Sequence, residues 1–430
     1  MSETQPPEPG PGSMSPPPGA ASVSVQQHLE RALGVVEPLE PYEQPLLDAL
    51  GLTVCEDVVA PVALPVFDNS SVDGYAVRLA DVAEASAERP THLPVVGEMA
   101  AGQSQVLAMT PGTAIRIMTG APVPRGCDAV VPIEWTDEGT AEVRISQAPT
   151  RGQHVRRRGE DVEEGDLLLS DGSVLGPRQV GVVASVGRPQ VLARPRPRVV
   201  VMSTGAELRE PGRALAHDSI YDANSYLLAA AVRRLGALPF RVGAVGDTPR
   251  EFSEALADQL VRADLVVTSG GVSKGAYDVV KEVLSAPDQK GSVWFGEVRM
   301  QPGKPQGVGV VGEDRTPILT LPGNPVSAYV SFEVFVAPVI RRLMGRTPYE
   351  RPRRSARCTH PISSTVGRTQ VVRAWLEHEP DGPVVSPVGG HGSHLVGDLA
   401  ASNAFIVVEE SVGEVRAGEQ VQVMALDEEY

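Results

Sequence analysis

Between Val199 and about Met344, runs of strand type alternate with runs of helix type, and this alternation constrains the fold more than any other feature of the chain. Strand-like runs fall at Val199–Met202, Phe240–Val245, Leu265–Thr268, Ser292–Val298, Gly307–Val311 and Ile318–Leu321. Helical periodicity fits Ala223–Leu235, Pro249–Arg262, Asp278–Leu284 and Val326–Leu343. Alternation of this kind predicts a mostly parallel sheet covered by helices. In open α/β sheets, ligands bind outside the carboxyl ends of the strands. The segments that follow each strand are therefore the ones to read for chemistry.

Those segments are rich in glycine and acids. Ser203-Thr204-Gly205-Ala206-Glu207 follows the first strand, and Gly246-Asp247 follows the second. Ser269-Gly270-Gly271-Val272-Ser273-Lys274-Gly275 follows the third, with Asp278 close behind. Gln301-Pro302-Gly303-Lys304-Pro305 and Pro322-Gly323-Asn324-Pro325 complete the rim. Glycines let backbone N–H groups approach a bound anion, and helix N-termini attract phosphate. Glu207, Asp247 and Asp278 would repel an anion by roughly 4 kcal/mol per close pair at a surface-like dielectric. Mg²⁺, which prefers carboxylate and phosphate oxygens, relieves that repulsion. The rim predicts a site for a phosphorylated ligand with magnesium.

Duller readings stand beside this one. A glycine turn between strand and helix is commonly structural, a lone acid after a strand is commonly a helix cap, and Lys304 can be a solvated charge. Gly307 to Gly312 matches GxGxxG but lies inside a strand-like run, so it does not read as a dinucleotide loop. Gly271-Val272-Ser273-Lys274-Gly275 matches the nucleophile-elbow pattern, with His360, His391 or His394 downstream, yet no oxyanion-loop signature accompanies it. His391-Gly392-Ser393-His394 reads as a loop rather than a metal site, for want of a third ligand at sensible spacing.

The flanks differ in texture. Ser24–Gly34 predicts a helix with Ser24 as N-cap, and Tyr42–Leu50 a second, stopped by Gly51. From Leu52 to Ala193 short β-type runs, such as Ala114–Met118 and Glu142–Ile145, are divided by glycine and proline. Ala193 to Arg198 reads as a stiff linker. Past Arg353 no helix is evident, and Val371–Leu376, Val384–Val388 and Phe405–Val408 predict a small terminal β-domain. Met1 to about Ala21, rich in proline, glycine and serine, reads as a disordered tail without the pattern of a signal peptide.

Composition narrows the partners. The net charge of −16 argues against non-specific nucleic-acid binding, which needs a basic footprint. Three separated cysteines, Cys55, Cys127 and Cys358, indicate neither a zinc ribbon nor a disulfide scaffold. No apolar run is long enough for a membrane span. A cytoplasmic location is the expectation.

At this point the motifs together resemble those of MoeA/gephyrin-type molybdopterin molybdenumtransferases, from about Val23 onward. They are Phe67-Asp68-Asn69-Ser70-Ser71-Val72-Asp73-Gly74-Tyr75-Ala76-Val77, Arg116 to Pro122, Arg158-Gly159-Glu160-Asp161, Ser203-Thr204-Gly205, Ser269 to Ser273, Pro302-Gly303-Lys304-Pro305 and Leu321 to Ser327. Gly392-Ser393-His394 and Ser402-Asn403 are also similar.

The resemblance implies a multidomain α/β fold. It has a central three-layer, MogA-like domain, a β-rich N-terminal region and a small C-terminal β-barrel-like domain. The expected division is a tail at 1–22, a discontinuous N-terminal domain at 23–64 and 162–193, a β-rich insert at 65–161, the molybdopterin-binding domain at 194–345 and a C-terminal β-domain at 346–430. The implied activity is Mg²⁺-dependent insertion of molybdate into adenylylated molybdopterin with release of AMP. The implied assembly is a homodimer with shared active sites. A molybdopterin adenylyltransferase and apo-molybdoenzymes are the implied protein partners, with no nucleic acid and no membrane.

By the family's pattern, Asp73, Thr119, Asp161, Glu207, Asp247, Asp278 and Lys304 match catalytic positions, and Glu207, Asp247 and Asp278 are the metal candidates. Ser203, Thr204, Gly205, Ser269, Gly270, Gly271, Ser273, Pro322, Gly323, Pro325 and Ser327 match ligand-binding ones. Lys304 and Ser327, with Arg368 and Arg373 more loosely, match positions near the molybdate site. The chain departs from common family versions at Ala206, at Gln301, where many members have lysine, and at Lys274.

Overall fold

The computed structural model describes residues 22–102, 106–246, 248–271, 278–286, 290–390, 392–428 and 430. Two compact units emerge: residues 43–50 with 54–193, and the remainder of the chain.

The first unit is β-rich. Its largest sheet runs Ala129–Pro132, Gly74–Val77, Ala114–Ile117, Thr91–Met99, Glu142–Ile145. Tyr75, Val77, Val131, Val143 and Ile145 fill one side of it, and Ala76, Ile115, Ile117 and Val130 the other. The period-two exchange between sides is what a sheet buried on both faces requires. Gly74 is a packing necessity, because a Cβ there would overlap the Val131 carbonyl on the paired strand. The predicted helix at Tyr42–Leu50 is instead a strand, Tyr42–Pro45, followed by turns. Pro45 lacks the N–H a helix interior needs, and Gln44 buries its amide to donate to the Ala193 carbonyl at 3.0 Å.

The second unit holds the α/β sheet, ordered Leu238–Val245, Arg198–Thr204, Leu265–Ser269, Thr316–Leu321, Pro305–Val311, Gly291–Glu297. The first four strands are parallel. The last two run antiparallel as an edge, so the sheet is mixed. The GxGxxG run lies in that edge hairpin, where a Cβ at Gly307 would strike Thr320 and one at Gly309 the Ser292 carbonyl. Val199, Val201, Leu265, Val267 and Leu319 pack on one face with the helix Asn224–Arg234. Val200, Met202, Val266 and Ile318 pack on the other with Pro249–Leu260 and Val279–Leu284. The helix Val25–Gly34 joins the first face, its start closed by a reciprocal pair of bonds between Ser24 and Gln27.

The long helical run after Pro325 is interrupted. A helix at Pro325–Ser331 widens into a π-turn at Phe332–Val336 and resumes at Ala337–Leu343. Pro338 has no N–H for the ordinary ladder, and the wider turn takes up the mismatch.

The C-terminal sheet closes on itself. Thr369–Glu379 pairs with both Gly382–Pro387 and Ala404–Val408, and the ring continues through Gln420–Ala425 and Arg354–Cys358. Closure removes the free edges that a small sheet otherwise exposes. A short helix, Val396–Ala400, corrects the expectation of none past Arg353. Its five residues are too few to show a period in sequence.

Candidate functional site

The carboxyl ends of the parallel strands open onto a cavity of about 680 Å³. Thr204, Gly205 and Glu207 border it from the first strand end, Ser269, Gly270 and Gly271 from the next, and Pro322 to Pro325 with Ser327 from the third. Asp278 completes the set. The turns are shaped by close packing. Ser203 and Ser269, both buried, bring their hydroxyls to 3.1 Å across neighbouring strands. Gly270 and Gly271 adopt φ of +94° and +65°, and a Cβ at Gly270 would come within 2.7 Å of the Thr204 carbonyl. A side chain would strain this backbone and push the turn off the cavity.

Asp247, Ser273 and Lys274 lie outside the described residues. Lys304 is half-buried, pairs with Glu297 at 2.9 Å, and does not border the cavity, although the adjacent Pro305 does.

A second cavity of about 510 Å³ adjoins the first. Val326 and Gly392 border it, while Pro325, Ser327 and His394 border its neighbour, so one helix start and one loop serve both. Gln301 and Pro302 reach it because Met300–Gln301 pairs in parallel with Thr369 and Gln370 of the barrel. Arg368 and Arg373 are its cationic walls. Arg373 is buried and donates to the carbonyls of Gly390 and, at 3.0 Å, Gly392, with Asp398 at 3.8 Å. Burial pulls its guanidinium below the ordinary arginine range. Arg368, half-buried, has no hydrogen-bond or ion-pair partner among the described residues.

The remaining candidates sit in the β-rich unit. Asp73 and Thr119 meet at the ends of paired strands: Thr119 donates its backbone N–H at 2.7 Å and its hydroxyl at 2.8 Å to Asp73 Oδ1. These donors, the backbone one foremost, hold the Asp73 carboxyl below the usual carboxylate range. Asp161 is exposed on a loop whose backbone donates to Leu64, and the basic run before it is tied to Asp68 through the Arg158 N–H and the Arg157 guanidinium. Neither cavity is bordered by Asp73, Thr119 or Asp161.

Sequence reading missed one wall of the larger cavity: Tyr221, Asp222 and Asn224. Asp222 is buried and accepts from the Ser225 N–H and hydroxyl, and Asn224 donates its amide to the Gly323 carbonyl at 2.7 Å. An Asp three residues before a Ser at a helix start was the available signal.

Among the described residues no three metal-ligating side chains cluster. Of the three carboxylates among the described residues that border the cavity, Asp222 is bonded to Ser225, while Glu207 and Asp278 share it with the glycine turns. Mg²⁺ commonly takes one or two protein carboxylates and completes its shell from water and ligand phosphates, so the donor set fits it.

Fold and cavity together define a multidomain α/β protein with a cavity at the carboxyl ends of its parallel strands and a closed β-barrel following. Three known regions match in order: the MoeA N-terminal region (domain I and II) at residues 23–187, a probable molybdopterin binding domain at 200–342, and the MoeA C-terminal region (domain IV) at 355–426. Molybdopterin molybdenumtransferase 2 of Mycobacterium tuberculosis is 47% identical over 406 residues, covering 94% of this chain and 99% of that protein. The molybdopterin molybdenumtransferase of Haemophilus influenzae is 37% identical over 383 residues, 88% of this chain and 92% of that protein. The crystal structure of a molybdopterin biosynthesis MoeA protein from Pyrococcus horikosii superposes with a TM-score of 0.79 at 31% identity, over 95% of this chain and 100% of that one. The chain belongs to the MoeA-type molybdopterin molybdenumtransferase family.

Proposed function

We propose that the larger cavity holds adenylylated molybdopterin and that the adjoining one receives molybdate. The chain is a molybdopterin molybdenumtransferase of molybdenum cofactor biosynthesis, with molybdate as substrate. The observation that carries the site assignment is the convergence of Glu207, Asp278 and three glycine-bearing turns on one cavity beside a second cavity walled by arginines.

The chemistry asked of the protein is positioning and charge neutralisation. Backbone N–H groups of the Gly270, Gly271 and Gly323 turns offer donors to the pyrophosphate that joins molybdopterin to AMP. Glu207 and Asp278, with Asp247 as the third acid, are the residues that would hold Mg²⁺. When bound, the ion supplies neutralisation of phosphate charge. Arg368 and Arg373 supply the positive field for the oxyanion, and Lys304 sits at the base of the same Pro-Gly-Lys turn. The two dithiolene thiols bond molybdenum as one oxide of molybdate leaves as water with their protons, and a water molecule cleaves the phosphoanhydride to AMP and the phosphomonoester of the pterin.

The same reading makes the chain a homodimer in which Asp73, Thr119 and Asp161 serve the cleft of a second copy. It is supported by the exposure of these three residues and by apolar side chains left open in the β-rich unit, among them Leu47 at 80% and Leu167 at 56%. It divides the chain at 23–64 with 162–193, 65–161, 194–345 and 346–430. It places the protein in the cytoplasm between a molybdopterin adenylyltransferase and apo-molybdoenzymes.

Purified protein with adenylylated molybdopterin, Mg²⁺ and molybdate should release AMP and yield cofactor that activates an apo-molybdoenzyme. Failure of both readouts would remove the proposal.

A further inference from the structure

Part of the cavity wall that the motifs do not account for is apolar. Leu208–Arg209 and Ile220–Tyr221 form a two-stranded parallel ladder, and Leu208, Ile220 and Tyr221 border the cavity. Tyr221 is 44% exposed and Ile220 56%, and Tyr221 is the one residue with a benzenoid ring among the described residues that border the cavity.

This wall is tied down on every side. Ile220 donates its N–H to Glu207 and Asp222 donates to Arg209, both at 2.9 Å. The Tyr221 hydroxyl donates to the Arg213 carbonyl at 3.0 Å. The next residue, Asp222, is locked onto Ser225. Arg241 then bridges the Ser225 hydroxyl at 3.1 Å to both Glu210 carboxylate oxygens at 2.8 and 3.0 Å. The backbone and the far end of the Tyr221 ring are both anchored before any ligand arrives. A ring fixed in advance gives up little entropy on receiving a planar partner.

We infer that Tyr221 is a stacking platform for a planar heterocycle of the ligand in this cavity. The inference rests on the proposed substrate, which carries two such rings, pterin and adenine, and stacking chemistry is common to both.

The test titrates AMP and molybdopterin separately into the full-length protein and its Tyr221→Phe, Tyr221→Trp, Tyr221→Ala and Tyr221→Leu variants, by calorimetry. Phe and Trp should keep the affinity within about twofold, while Ala and Leu lose about tenfold for one of the two probes, on the scale of base–aromatic stacking. The probe that weakens identifies the ring. Leu retains apolar area without a π face, so it separates stacking from simple burial. In turnover, KM should rise in proportion while kcat stays within about twofold.

Wild-type affinity of the Ala variant for both probes overturns the inference. So does a Phe variant as weak as Ala, which would assign the effect to the hydroxyl bond with Arg213, or a wild-type protein that binds neither probe. Absent AMP release with ring-dependent binding preserved would instead strike the transferase assignment, because the titration needs no turnover.

Discussion

Thr119 gives two hydrogen bonds to a single oxygen of Asp73, whose carboxylate is exposed. The charge is thus held in one orientation at the surface of the β-rich unit. That is how a carboxylate is presented to something that comes to meet it.

Replacing Thr119 by Val removes one of the two donors and keeps the backbone one. The Asp73 carboxyl is depressed in the folded protein, so its interaction with Thr119 is present above the ordinary carboxylate pKa and is lost as pH falls through the depressed value. Thr119→Val should raise the Asp73 pKa and move the acid limb of the activity profile to higher pH. Asp73→Asn keeps the shape without charge and should lower turnover on the order of a hundredfold. Carboxylate titration by NMR and pH–rate profiles measure the two effects.

Glu207 and Asp278 share one cavity, so loss of either charge should appear first as a demand for more metal. Glu207→Gln and Asp278→Asn should each raise the Mg²⁺ concentration for half-maximal AMP release by at least about tenfold. Chelation should abolish release in the wild type while its circular dichroism stays unchanged. Unaltered Mg²⁺ dependence in both variants would take the metal away from these residues.

Glu333 lies fully buried in the π-turn, 3.1 Å from the buried Arg351 and 2.8 Å from the partly exposed Arg234. Removing the buried partner leaves the buried carboxylate with only the solvent-edge Arg234 and takes a donor from the Ala425 and Glu428 carbonyls, and breaking such a buried network typically costs about 3–5 kcal/mol. Arg351→Met should therefore lower the denaturant midpoint of this unit clearly. Arg234→Met, at the solvent edge, should cost about 1 kcal/mol. Chemical denaturation followed by tryptophan fluorescence separates them, and equal losses would contradict the assignment.

His28 is wedged between Trp294 and Phe335, and neither ring nitrogen has a partner among the described residues. Burial, aided by the Arg31 charge, pushes its pKa down from 6.5 to about 3. The unfolded chain therefore binds the extra proton first. Stability from the neutral ring is complete above pH 6.5 and erodes as pH falls toward 3, by up to roughly 1.4 kcal/mol per unit. His28→Leu should melt with less dependence on acid across that window. Parallel pH dependence of wild type and variant would exclude His28 as the source.

Much of the architecture was legible in the chain. The strands at Leu265–Ser269 and Glu142–Ile145 and the helices after Ser24 and Thr248 follow from periodicity and caps, which are local effects. Tyr42–Pro45 was not legible as a strand, because its partner lies far along the chain and the run is too short to carry a period. Glu207 and Asp278 could be named as candidates, as each follows a strand end. Tyr221 and Asn224 could not, because one precedes a helix, the other begins it, and neither belongs to a motif.

What the sequence determined by itself was the alternation of strand and helix, the turns that only glycine can make, and the ordered motifs that mark the family. The tertiary structure alone decided which of the charges border the cavities. Lys304 pairs with Glu297, Arg373 is tied to the loop carbonyls of Gly390 and Gly392, and Arg368 borders its cavity without such a partner among the described residues. A side chain's partner is set by strand register and loop closure over long separations, and local periodicity carries no information about either.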